Sequence, residues 1–266
     1  MKDLVSDSRL QEFMTVSFFS NRSLSVSSCI LFAALSAGCS KSRDSSADSP
    51  EVVPPKDLPA YQSVVAKVQQ TRGSLMDDYR RARGTDERRV VIERARIEFL
   101  SGVFEELMPH WYGTAWDFNG ITEIPGEGQI ACGYFVSTVL RDAGLAVERY
   151  KLAQQPSQNI IRSLTSEEHM VSFHGGRYED FISGIRALGD GLFIIGLDRH
   201  VGFIVQMGGD SFFVHSDGGS HRCVVKEDLA GASVLRRSRY RIVGKISADD
   251  ALVGRWLSGE KIATVQ

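Results

Sequence analysis

An α+β domain is the fold this sequence predicts, and three observations predict it. Apolar residues recur at three- and four-residue steps across residues 58–107, which is the spacing of amphipathic helices. A compact helical stretch spans residues 132–143 and is stopped by Gly144. After residue 190 come short apolar runs separated by polar breaks, each the length of a strand. Consecutive strands following helices argue for an antiparallel sheet packed on helices.

Composition sets the outer limits. A chain of 266 residues makes one or two domains and buries a sizeable core without covalent staples. Lys and Arg number 31 against 33 Asp and Glu, a formal net charge of -2. No basic excess is available to hold a phosphate backbone, so nucleic acid is not an expected partner. The four cysteines are Cys29, Cys39, Cys132 and Cys223. They are too few for a disulfide scaffold and form no CxxC pair, and no cofactor or metal is expected from them.

The N-terminal region reads as an address. Residues 24–38 form a short run of apolar and small side chains, too short to span a bilayer comfortably but suited to the core of a signal peptide. It ends in Leu35-Ser36-Ala37-Gly38-Cys39, which resembles a bacterial lipobox. That resemblance implies cleavage before Cys39 and lipidation of its sulfur, with Met14 as an alternative start. Residues 1–38 are then the signal peptide. Residues 39–57, rich in Ser, Asp and Pro, are a disordered tether that cannot pack. Ser40 after the cysteine implies anchoring at the outer membrane, facing the periplasm.

Residues 58–108 predict a helical hairpin. Val64, Val65, Val68, Leu75, Met76 and Tyr79 make one apolar stripe; Val91, Ala95, Leu100, Val103, Phe104 and Leu107 make the other. Gly84 is the expected helix stop and Thr85 the expected N-cap. Residues 109–266 form the second region. Its strands are expected at 192–197, 201–207, 211–215, 223–226 and 240–246, with a last helix over 248–257.

Three residues of this second region carry chemistry. Cys132 opens the predicted helix, where free N–H groups and the helix dipole favour a thiolate, and Gly133 leaves the approach to sulfur open. His200 follows a turn and begins a strand. His215 ends the next strand, so a hairpin brings the two rings together. A nucleophile, a base and a group that orients the base are the parts of nucleophilic catalysis. Asp217 is a second candidate for the orienting role. His215, Asp217, His221 and Cys223 lie close in sequence but match no zinc-ligand spacing.

The order of these residues resembles the NlpC-type, papain-like cell-wall cysteine peptidases: a Cys at a helix start, then Gly189-Asp190 before an apolar run, His200-Val201-Gly202, and Phe213-Val214-His215-Ser216. The resemblance covers residues 111–246. It implies a papain-like fold with Cys132 as nucleophile, His200 as base and His215 as the orienting residue. It also implies a substrate groove in which Tyr112, within Trp111-Tyr112-Gly113-Thr114, lines one wall, with Trp116, Gly133 and Tyr134 nearby. The implied activity is hydrolysis of an amide or peptide bond in peptidoglycan stem peptides, with the membrane held through Cys39. The family usually has Asp-Cys-Ser-Gly where this chain has Ala131-Cys132-Gly133-Tyr134. The Asp and Ser that bind the substrate's free amine are therefore absent. Alternatives are a non-catalytic cell-wall-binding lipoprotein with a hydrolase-like fold, and a papain-like amidase or acyltransferase with another substrate.

Overall fold

The computed structural model describes residues 51–266; the expected signal peptide, Cys39 and the expected tether up to residue 50 lie outside the described residues. A six-stranded sheet, antiparallel throughout, forms the centre. Its strands are β1 (Met170–His174), β2 (Gly191–Leu197), β3 (Val201–Met207), β4 (Asp210–Ser216), β5 (Val224–Asp228) and β6 (Tyr240–Lys245), in the order β1-β6-β2-β3-β4-β5. The fold is α+β.

Alternation along the strands divides the core in two. Leu192, Ile194, Val201, Phe203, Val205 and Val214 enter one cluster; Phe193, Ile195, Leu197, Ile204 and Phe213 enter the other. The larger cluster is covered by α1 (Tyr61–Arg81), α2 (Thr85–Ser101), α4 (Cys132–Asp142), α6 (Ser157–Leu164) and α9 (Asp250–Ser258). The smaller is covered by α7 (Tyr178–Ala187) and α8 (Ser233–Arg237). The short α3 (Met108–Trp111) and α5 (Arg149–Ala153) complete the helices.

Of the expected stripes, Val64, Val68, Leu75, Ala95, Val103 and Leu107 are buried, Val65, Tyr79, Val91, Leu100 and Phe104 are partly buried against the core, and Phe99, outside the expected stripe, is buried as well. The hairpin is not a separate module, however. Tyr61 Oη donates to Asp142 at 2.8 Å, Gln69 to the Asp142 carbonyl at 2.9 Å, and Arg72 to the Trp256 carbonyl at 2.9 Å. These bonds tie α1 to α4 and α9 within one compact body.

Four expectations need correction. Thr85 is the first residue of α2 and not its cap; instead the Glu87 carboxylate reaches back to the Arg83 N–H at 2.6 Å, so an acidic side chain takes the free donor. The second arm runs through a π-helical turn, Gly102–Leu107, into α3. The tether does not extend freely to residue 57, because Glu51 exchanges backbone bonds with Lys226 at 2.8 and 3.0 Å and so extends the edge beside β5. Finally, β1 lacks a signal in the sequence. Its Met-Val-Ser-Phe-His run is half-exposed at the sheet edge, so no apolar run marks it.

Candidate functional site

The chain enters the site through a loop that is pinned before it reaches Cys132. Ala131 N–H donates to the Gly120 carbonyl at 2.8 Å and Ile130 N–H to the Ala115 carbonyl at 2.9 Å. Ser216 Oγ donates to the Ile130 carbonyl at 2.7 Å, which joins the loop to the end of β4. Ala131 then takes an extended conformation (φ -81°, ψ 159°), and Cys132 is the first residue of α4. The N-cap residue, Ala131, has no side-chain group to cap this helix.

The half-buried Cys132 thiol meets three backbone N–H groups: its own, that of Gly133, and that of Val201. The third is informative, because the Val201 nitrogen is the peptide that joins His200 to β3. The sulfur therefore sits at the head of the strand that begins beside His200. Both side chains line two clefts, one of about 700 Å³ and one of about 360 Å³.

His200 Nε2 lies 2.8 Å from His215 Nδ1, and the two rings cross nearly at right angles (84°). His215 is fully buried, stacked on Phe213 with ring centroids 4.0 Å apart. Its Nε2 lies 2.9 Å from Glu227 Oε2, and Glu227 is buried too. His221 Nε2 approaches the other oxygen, Oε1, at 3.6 Å. His200, His215 and Glu227 form an ordered series of contacts, and Cys132 shares both clefts with His200.

Asp217 does not enter that series. Its two oxygens accept the N–H groups of Gly219 and His221, both at 2.8 Å, so it holds the turn between β4 and β5. Cys132 and Cys223 are both free thiols. Among the described residues no group of three or more His, Cys, Asp or Glu is placed to hold a metal ion.

Burial governs the protonation of the central pair. Desolvation pushes the Cys132 thiol up, and the three N–H groups at the sulfur only partly oppose it. Desolvation, helped by the neighbouring His215, pushes His200 down to about 3. His215 is also pushed down by burial, against the pull of Glu227. Burial thus favours a neutral thiol at Cys132 and a neutral imidazole at His200. Desolvation opposes the pull toward a thiolate that is expected of a helix start.

The larger cleft is walled by Trp116, Phe118, Ile121 and Tyr134, and the smaller by Ser157, Gln158, Asp198 and Tyr240. Tyr112 is the one expected groove residue that lines neither. Its ring is 2 % exposed, and burial pushes its hydroxyl far up. The cause is local. Gly113 adopts a left-handed φ of 80° and packs on the Val52 carbonyl, which turns Tyr112 inward beneath Lys226, 5.8 Å from the ring centre. Gly133 lines both clefts, but a side chain there would collide with the Ala153 carbonyl; its smallness lets α5 close against α4.

Two buried side chains at the site were missed in the sequence. Arg149 packs against both Tyr134 and Tyr150, 5.0 Å from each ring centre, where the two rings meet edge to face. It donates to Thr138 Oγ1 at 2.7 Å and to the carbonyls of Ile121 and Thr122 at 2.8 and 2.9 Å, fastening the cleft wall to α4. Glu227 lies one residue beyond the run 223–226 expected as a strand. Extending that run by one residue puts Glu227 on the same face as Val225, by the two-residue period.

Comparison with protein-family models, with curated proteins and with solved structures found no match.

Proposed function

We propose that this chain is a papain-like cysteine hydrolase of the bacterial cell envelope, lipid-anchored through Cys39, that cleaves an amide or peptide bond, with peptidoglycan stem peptides as its substrate class. The observation that supports the reading best is that Cys132, at the start of α4, and His200 line the same two clefts, with His200 Nε2 already engaged by His215. That arrangement orients a base toward a nucleophile.

In this reading, Cys132 Sγ attacks the scissile carbonyl carbon while His200 Nδ1 takes the thiol proton. The carbonyl oxygen becomes an oxyanion, for which the N–H groups at the start of α4 are donors. Collapse breaks the C–N bond, and His200 returns the proton to the departing amine. Water then adds to the thioester, losing one proton to His200, and the acid leaves as the proton goes back to sulfur. Because the resting pair is neutral, proton transfer accompanies attack. The aromatic and aliphatic wall of the larger cleft suits an apolar portion of the substrate, and Ser157, Gln158 and Asp198 in the smaller cleft offer hydrogen-bonding groups to a peptide. Ala131 and Gly133 provide no charge or hydroxyl for a free amine, so amine-terminated tetrapeptides are poor substrates in this scheme.

The test is digestion of purified sacculi. The wild-type protein is expected to release soluble peptide-bearing fragments. Cys132→Ala is expected to reduce release at least about a thousandfold, with an unfolding midpoint close to wild type. Equal release by the two proteins overturns the reading.

A further inference from the structure

Glu227 is a buried carboxylate that the thiol–imidazole scheme leaves unused. We propose that Glu227 is a positioning residue that fixes the ring tautomers of His215 and, through it, of His200, so that His200 Nδ1 is kept bare to accept the thiol proton. The proposal rests on the hydrolase reading only in naming Cys132 as the nucleophile.

The proton positions follow from the series of contacts. A carboxylate has no proton to give, so across the 2.9 Å contact the hydrogen belongs to His215 Nε2. A neutral imidazole carries one N–H, so His215 Nδ1 is an acceptor. It faces His200 Nε2 at 2.8 Å, which must then be the donor. The single hydrogen of His200 is thereby placed on Nε2, and Nδ1 keeps its lone pair. Burial holds both rings neutral, so the rule of one hydrogen per ring applies to each.

Strand geometry explains why position 227 serves. His215 stands opposite Val225 in the β4–β5 pair, and Glu227 is two residues further along β5 on the same face. Such a diagonal neighbour is within reach of a long side chain. Without an acceptor there, His215 is free to carry its hydrogen on Nδ1. His200 would then carry its own on Nδ1 and be unable to act as a base. A histidine held in the wrong tautomer costs a Ser-His-Asp protease about 10⁴ in kcat.

The experiment uses the protein labelled with ¹⁵N in its histidines, in which long-range ¹H–¹⁵N spectra report which ring nitrogen bears the hydrogen. In the wild type both His200 and His215 are expected as Nε2–H. In Glu227→Gln the amide presents either an acceptor or a donor, so mixed tautomers are expected at both rings. Carbamidomethylation of Cys132 near neutral pH is expected to slow at least about tenfold, and Glu227→Asp to recover part of that loss. An Nδ1–H signature at either ring of the wild type overturns the proposal. So does a folded Glu227→Gln protein with wild-type tautomers and alkylation rate. If Glu227→Gln does not fold, the wild-type spectrum and Glu227→Asp decide. No readout needs a substrate. A tautomer shift without sacculus digestion removes the hydrolase reading alone; digestion without the shift removes the Glu227 assignment alone.

Discussion

The Nε2 atom of His200 and the Nδ1 atom of His215 stand 2.8 Å apart at the head of β3 and the end of β4, and this contact occupies the Nε2 edge of the His200 ring. The contact exists because Gly202 has no side chain. A Cβ at that position would come within 2.8 Å of both His215 Cβ and Phe213 Cε2.

Gly202→Ala therefore tests the contact directly. The added methyl has packed side chains on one side and the Val214 carbonyl at 3.1 Å on the other, so it must displace β4. Overpacking of this kind costs roughly 1–3 kcal/mol. A lower thermal midpoint and a loss of turnover larger than the loss of folded protein are expected. Wild-type midpoint and turnover would show that His215 does not need that closeness.

The neutral resting pair sets a pH profile. The thiol is pushed above its ordinary range, so its alkylation rate should keep climbing into alkaline pH and not level off below neutrality. A rate already flat from acidic to neutral pH would mean a resting thiolate. Stability follows from the histidines. His200 is held near 3 when folded but titrates near its ordinary 6.5 when unfolded, so below 6.5 the unfolded state binds more protons. Folding stability should be fully present above 6.5 and fall as pH drops toward about 3; denaturant midpoints across that window measure it.

Arg149→Lys should loosen the aromatic wall of the larger cleft. Lysine keeps the charge but lacks the planar fork that now reaches two carbonyls and the Thr138 hydroxyl at once. The expected result is a raised KM with a smaller change in kcat, because the wall holds substrate and does not touch the reacting atoms. A kcat loss with unchanged KM would contradict this role.

Lipid anchoring makes its own demand. Globomycin should accumulate an uncleaved precursor, and Cys39→Ser should abolish labelling by a palmitate analogue. Persistent labelling of the mutant removes the anchor from the account.

The strands of the sheet centre and the Cys–His–His order were legible because each has a local signature: an apolar run, a helix start, a strand end. What escaped the sequence depends on distant partners. Tyr112 resembled a groove residue, yet the fold of Gly113 against Val52 turned it into the core. Glu227 falls just past the run expected as a strand, and its burial shows only once β5 lies beside His215. The desolvation of Cys132 escaped for the same reason: a helix start is visible in the sequence, whereas burial by the packed surroundings is not.

The most direct test of the central claim is trapping of a thioester. Protein quenched in acid shortly after mixing with sacculus-derived muropeptides, then digested and mapped by mass spectrometry, should carry an acyl adduct on Cys132 and none on Cys223. Cys132→Ala should carry no adduct. Release of fragments without any adduct on Cys132, or an adduct that persists in Cys132→Ala, would contradict the assignment of this sulfur as the nucleophile.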